Sequence, residues 1–196
     1  MKTLAAFALL LATVPAVAQD VAEPALRADL LERYAAEQDV RMRLIAAGIA
    51  EPDRALLSEM SAIDADNLAR VVEIVDTHGW PTPELVGADG VNAAFMIVQH
   101  ADPATQERML PLVEAAYRAG DLPGQSYAML LDRVLVVGRG EPQVYGTQAA
   151  FGPDGEMVVS PTIDDATLDA RRAEVGLPPV AEYLAMLREA YAAPTE

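Results

Sequence analysis

Residues 91–101 read VNAAFMIVQHA, a segment apolar on every side through Val98 and closed by Gln99 and His100. A helix at the surface keeps a polar face, and this one has none. It therefore predicts a short central helix buried all round. The sequence on either side predicts further helices. Asp102-Pro103 is an N-cap acid followed by proline at the first helical position, opening a helix that runs to Ala119 and stops at Gly120.

Working outward toward the start, Ala22 to Ala47 carries Leu26, Leu30, Leu31, Tyr34, Ala35, Met42 and Ile45 at three- and four-residue steps, with Gly48 placed as a C-cap. Gln38 falls inside that stripe. A second helix is predicted from Pro52 to Met60 and a third from Asp64 to Thr77, stopped by Gly79. Trp80-Pro81-Thr82-Pro83 is a rigid connector, since proline restricts both itself and the residue before it. Toward the end, Pro123 to Val137 predicts a helix closed by Gly138-Arg139-Gly140. Val144 to Phe151 and Glu156 to Ser160 then flank Gly152-Pro153-Asp154-Gly155, the one β-hairpin signal in the chain. Pro153 and Asp154 suit a type I turn followed by a left-handed Gly155. Two helices follow, Asp165 to Glu174 with Gly176 as stop, and Pro179 to Ala192. The predicted fold is mainly α (α+β): a single compact helical domain over residues 19–196, with one small hairpin near residues 144–160.

The first residues, MKTLAAFALLLATVPAVAQD, place Lys2 before an apolar run from Leu4 to Ala12 and end on Ala16-Val17-Ala18. That is the pattern of a Sec-type signal peptide, residues 1–18, cleaved after a small-x-small site. The apolar run falls well short of the ~20 residues that span a bilayer. The expectation is an exported protein, periplasmic or extracellular, with no membrane attachment after cleavage. Cleavage removes Lys2, the only lysine, and leaves arginine as the sole strongly basic residue type.

The chain has 196 residues, no Cys and a formal net charge of −16. The missing Cys excludes disulfides, thiol catalysis and cysteine-based zinc or iron–sulfur sites. The acidity argues against DNA, RNA and anionic membranes as partners. There is no HExxH, Gly-x-Ser-x-Gly, Walker loop or dinucleotide fingerprint, and no cofactor is implied. His78 and His100 share no ligand spacing, so no metal site is predicted.

A set of short motifs carries a resemblance. GWP (Gly79 to Pro81), IVQHAD (Ile97 to Asp102), LPL (Leu110 to Leu112), YAMLLDR (Tyr127 to Arg133), PQVYGTQ (Pro142 to Gln148), RRAEVGL (Arg171 to Leu177) and PVAEY (Pro179 to Tyr183) stand in order. Together they resemble an uncharacterised bacterial family, the domain of unknown function DUF6624. The resemblance covers Gly79 to Tyr183 well and Gln38, Asp39 and Arg43 more loosely. It implies membership and no activity.

The residues that invite chemistry lie mostly in these motifs. His100 ends a buried helix, where a cation is favoured and a His can work as acid or base. Asp132 and Arg133 are the only charged residues between Tyr127 and Val137, on a helix apolar in every direction. About 100° apart, their heads diverge and each needs its own partner. His100, Arg41 or Arg43 suit Asp132; Asp39 or a ligand anion suits Arg133. Period-two alternation puts Gln143, Tyr145 and Thr147 on one strand face and Gln148 on the other, with Gly146 marking a close approach. Asp39 and Arg43 are spaced as an intrahelical pair. A buried Gln38 needs several hydrogen-bond partners. Arg171-Arg172 suit a structural clasp on the hairpin.

Three readings follow. In the first, the polar cluster binds a small polar or anionic ligand, or a protein partner, through Gln38, Gln99, Arg133, Gln143 and Gln148. In the second, His100, Asp132 and Tyr145 are catalytic residues of an envelope hydrolase or transferase. There, His100 is the general base, Asp132 orients it, and Arg133 or Tyr145 stabilises developing charge. In the third, the cluster only specifies the fold.

Overall fold

The computed structural model describes residues 21–47, 53–152 and 155–191. The expected signal segment, Gly48, Pro52, Pro153, Asp154 and Ala192 lie outside the described residues. Among the described residues are seven α-helices and one two-stranded antiparallel sheet, mainly α with a small hairpin. The chain divides after Leu122 into two compact units.

The first unit holds α1 (Pro24–Ala47), α2 (Arg54–His78), α3 (Pro83–Gln99) and α4 (Pro103–Ala119). α3 is its centre, touching α1, α2 and α4. Every residue from Ala93 to Gln99 is buried, as an all-apolar helix requires. α3 begins earlier than its apolar run: Thr82 caps it by accepting from the Leu85 N–H (3.3 Å), and Pro83 follows. At Gly87 the backbone leaves the helix (φ 75°, ψ 160°). Asp89, just past this kink, takes a bidentate pair from Arg27 of α1 at 2.9 and 2.6 Å.

α2 is one continuous helix where two were expected. Ser61-Ala62-Ile63 contains neither Gly nor Pro, so nothing in it stops a helix. In α1 the buried residues are Leu26, Leu30, Glu37 and Val40, whereas Met42 and Ile45 of the expected stripe are 64% and 56% exposed. The buried face is thus rotated from the one that apolar identity suggests, and it carries a carboxylate.

The second unit holds α5 (Gly124–Arg133), a π-helical continuation (Val134–Arg139), β1 (Ala149–Phe151), β2 (Met157–Val159), α6 (Leu168–Glu174) and α7 (Val180–Tyr191). The strands pair Ala149 with Val159, Ala150 with Val158 and Phe151 with Met157. α7 packs on β2 and α6. Gly155 has the expected left-handed φ, 81°. The first strand is much shorter than expected, and its predicted alternation over 143–148 does not form. Gly146 turns to φ 66° there, and the N–H groups that would make a ladder point to one side chain.

The cap of α4 is as its sequence predicts. Asp102 accepts from the N–H groups of Ala104 and Thr105, both at 3.0 Å, and from the Thr105 hydroxyl at 2.7 Å. The Thr105 hydroxyl and these amides hold the Asp102 carboxyl below the usual carboxylate range. A carboxyl with a depressed folded pKa stabilises above its unfolded pKa, and that stability fades as pH falls through the folded value. Asp102→Ala is therefore expected to cost about 1 kcal/mol at neutral pH. In urea unfolding followed by circular dichroism, the gap between wild type and variant should close on acidification.

Candidate functional site

The loop Gln143–Gln148 of the second unit has its backbone satisfied largely by side chains. Asp132, fully buried on α5, accepts from the N–H of Val144 at 2.8 Å, Tyr145 at 3.0 Å and Thr147 at 2.9 Å, and from the Thr147 hydroxyl at 3.0 Å. The carbonyls are met by cations. Arg171 Nε donates to Val144 O at 2.7 Å, and Arg172 Nη1 donates to Tyr145 O and Gly146 O at 2.7 and 3.1 Å. The Tyr183 hydroxyl donates to Thr147 O at 2.7 Å. Gln143 closes the loop on itself: its Oε1 accepts from Gln148 N at 2.9 Å and its Nε2 donates to Gln148 O at 2.9 Å and Ser160 O at 2.7 Å.

Asp132 and Arg172 are both 0% exposed, so neither charge has solvent to fall back on. Burial pushes the Asp132 carboxyl up, and the loop's N–H groups and Thr147 pull it back. Burial likewise lowers the Arg172 guanidinium, which stacks 4.9 Å from the Tyr183 ring centre and donates from Nε to Pro178 O at 2.6 Å. Each charge faces backbone dipoles of the opposite sense, which is how buried ions are tolerated without direct pairing. Gly146 is needed twice: its φ is left-handed, and an added Cβ would lie 3.3 Å from both Leu168 methyls.

The first unit presents a different arrangement. His100 caps the C-terminus of α3, and its Nδ1 makes a short hydrogen bond with Glu37 Oε1 of α1. Their side chains are 5% and 1% exposed. A carboxylate only accepts, so Nδ1 carries the hydrogen of this bond. Arg41, one turn on, reaches the same Glu37 oxygen at 3.4 Å and donates to Glu37 O at 3.2 Å. It also grips Asp64 of α2 in a bidentate pair at 3.0 Å. Burial and the charge of Glu37 push the Tyr34 phenol up, one turn earlier on α1.

Four buried polar atoms of the first unit have no hydrogen-bond partner among the described residues: Glu37 Oε2, Gln38 Nε2, Trp80 Nε1 and Gln99 Oε1. Gln99 itself is 3% exposed, and its backbone oxygen accepts from Gln106 Nε2 at 2.8 Å. An open depression on the same unit, lined by Asp29, Arg33, Asp66 and Asn67, is different in kind. Its polar groups bond to one another.

The residues picked out by sequence thus fall into two sets. Asp132, Gln143 and Gln148 join through loop bonds, with Tyr145 contributing its backbone and setting its ring edge-on to Tyr127 at 6.3 Å between centres. Arg133 is partly buried at the end of α5. His100, Gln99 and Gln38 belong to the first unit, and the carboxylate that orients His100 is Glu37. Asp39 pairs with Arg43 at 3.4 Å, the intrahelical contact its spacing predicts. Glu37 has one sequence signal, its phase: it sits seven residues after Leu30 and three before Val40, both fully buried.

Among the described residues no group of three His, Cys, Asp or Glu side chains is placed to hold a metal, and no helix is long and apolar enough to cross a membrane. The sequence model of a family of unknown function, DUF6624, matches residues 24–195, and the chain belongs to that family. Searches of curated proteins and of solved structures find no match.

The loop geometry makes a sharp expectation. Asp132→Asn keeps the shape of the side chain but turns one acceptor into a donor facing backbone N–H groups. With each buried unsatisfied group costing about 1–3 kcal/mol, the variant should lose at least about 3 kcal/mol in urea unfolding. Tyr145→Phe leaves every backbone bond of the loop in place and should cost less than Asp132→Asn in the same measurement.

Proposed function

We propose that this is an exported protein whose first unit binds a small polar molecule at Glu37 and His100, with the buried Gln99 preceding His100 on α3. The observation that carries the reading is the set of buried acceptors without donors. Leaving such atoms unsatisfied costs about 1–3 kcal/mol each, and sites that violate packing rules in this way are commonly functional. In the second unit the buried carboxylate and glutamines are largely spent on the Gln143–Gln148 loop, and the buried atom of Arg172 without a partner, Nη2, is a donor. Export rests on the signal pattern of residues 1–18.

A second reading uses the same pair. A buried carboxylate that fixes Nδ1–H of a histidine leaves Nε2 as an oriented general base, the arrangement a hydrolase or transferase needs. In this version Glu37 takes the orienting role that the sequence suggests for Asp132. Binding is the better supported of the two, because it asks only for the buried acceptors of Glu37 and Gln99.

A thermal-shift screen of the purified exported protein against metals, sugars, peptidoglycan fragments, amines and small anions tests the proposal. Glu37→Gln is the control, because the amide oxygen can still accept from His100 Nδ1. A ligand that raises the melting temperature of wild type by several degrees, and of Glu37→Gln by much less, supports the site. No shift with any probe, or shifts equal in both proteins, contradicts it.

A further inference from the structure

We infer that the mature chain begins at Gln19 and that this residue closes on itself into a pyroglutamyl cap, guarding a strap that ties α1 to α3. The deduction rests on the export reading above. Cleavage after the small-x-small run Ala16-Val17-Ala18 frees the α-amine of Gln19. A glutamine in that position carries its own electrophile, the side-chain amide carbon, within reach of the amine in a lactam ring. Reacting groups held in one residue need no encounter in solution, which removes much of the entropic part of the barrier. The amine nitrogen bonds to Cδ, the bond from Cδ to Nε2 breaks, and the proton given up by the amine leaves with Nε2 as ammonia. The products are a neutral lactam and ammonia, so no oxidant, reductant or second substrate enters. The step is internal to Gln19 and depends on no neighbour in the fold. It consumes the α-amine, and with it the positive charge of the N-terminus.

The fold supplies the reason such a cap matters. Close behind Gln19, the Ala22 N–H donates to Glu84 O and the Glu23 N–H to Leu85 O, both at 2.9 Å. These carbonyls belong to the first turn of α3. The backbone leaves the helix at Gly87, so that turn ends there and its oxygens are open to outside donors. A Cβ on Gly87 would lie 3.5 Å from Val21 Cγ1 and 3.3 Å from Arg27 Nε, so the strap packs where glycine leaves room. The bidentate pair of Arg27 with Asp89 holds α1 to α3 at the same place. An aminopeptidase removes residues singly from a free α-amine. Beyond Asp20 it would take Val21 and then Ala22 with its bond to Glu84. A pyroglutamyl residue offers no α-amine, and trimming stops before it begins.

The test is intact-mass and N-terminal analysis of protein purified from bacteria that produce the full chain with its own leader, beside the Gln19→Ala variant. Wild type is expected at the mass of residues 19–196 less one ammonia, a loss of about 17 Da. It should resist Edman sequencing and a broad-specificity aminopeptidase until pyroglutamyl aminopeptidase removes its first residue. Gln19→Ala should show the undiminished mass of its sequence, read directly by Edman sequencing, and be trimmed by the aminopeptidase alone. Once trimmed through Val21, it should melt at a lower temperature. Trimming that halts before Val21, or passes it with the melting temperature unchanged, would overturn the guarding of the strap. An undiminished wild-type mass with a sequenceable glutamine would overturn the cap and leave export standing. A start at any other residue would overturn the assignment to Gln19, and the mass of residues 1–196 would overturn the export reading with it.

Discussion

The second unit depends on one buried carboxylate. Asp132 gathers three backbone N–H groups and a hydroxyl from a loop that would otherwise have no ladder to join. Its complement is Arg172, equally buried, which takes carbonyls from the same loop. Neither charge is neutralised by touching the other. The peptide groups between them carry the opposing dipoles, so the loop is the medium through which two buried ions are made tolerable. Remove either and the other is left in a site designed around both, with a run of backbone groups left without partners.

That constraint explains why the motif residues around it are polar. Gln143, Arg171 and Tyr183 each satisfy a backbone group of the loop, and the Thr147 hydroxyl donates to Asp132. Gly146 is there because the backbone turns left-handed where Leu168 packs against it. A functional residue typically leaves some capacity unspent. In this loop almost all of it is spent on the fold, whereas Glu37 and Gln99 in the first unit keep acceptors free of protein donors.

Much of the fold was legible because local chemistry and tertiary packing agree. The all-apolar segment before Gln99 became the central helix, and Asp102, Pro103 and Gly120 bounded α4 as their side chains and backbone preferences require. The strand over 143–148 was misleading because period-two alternation reports a ladder only when the ladder's N–H groups are free, and Asp132 takes them. Asp132 itself was visible as a charge on an apolar helix, but not its partner, since a contact between helix and loop backbone leaves no mark in residue type. Glu37 was hidden for another reason. Apolar identity drew the α1 stripe toward Met42 and Ile45, which are exposed, while the true phase through Leu26, Leu30 and Val40 lands on a glutamate.

The claim that polar residues of the two units do different work is tested most directly at Gln99, through the unfolding free energy of Gln99→Met without added ligand. Methionine keeps the length of the side chain and removes a buried acceptor without a donor, so the account predicts stability equal to or above wild type. A loss of about 2 kcal/mol or more would show that the Gln99 amide is already engaged in holding the fold, and would contradict it.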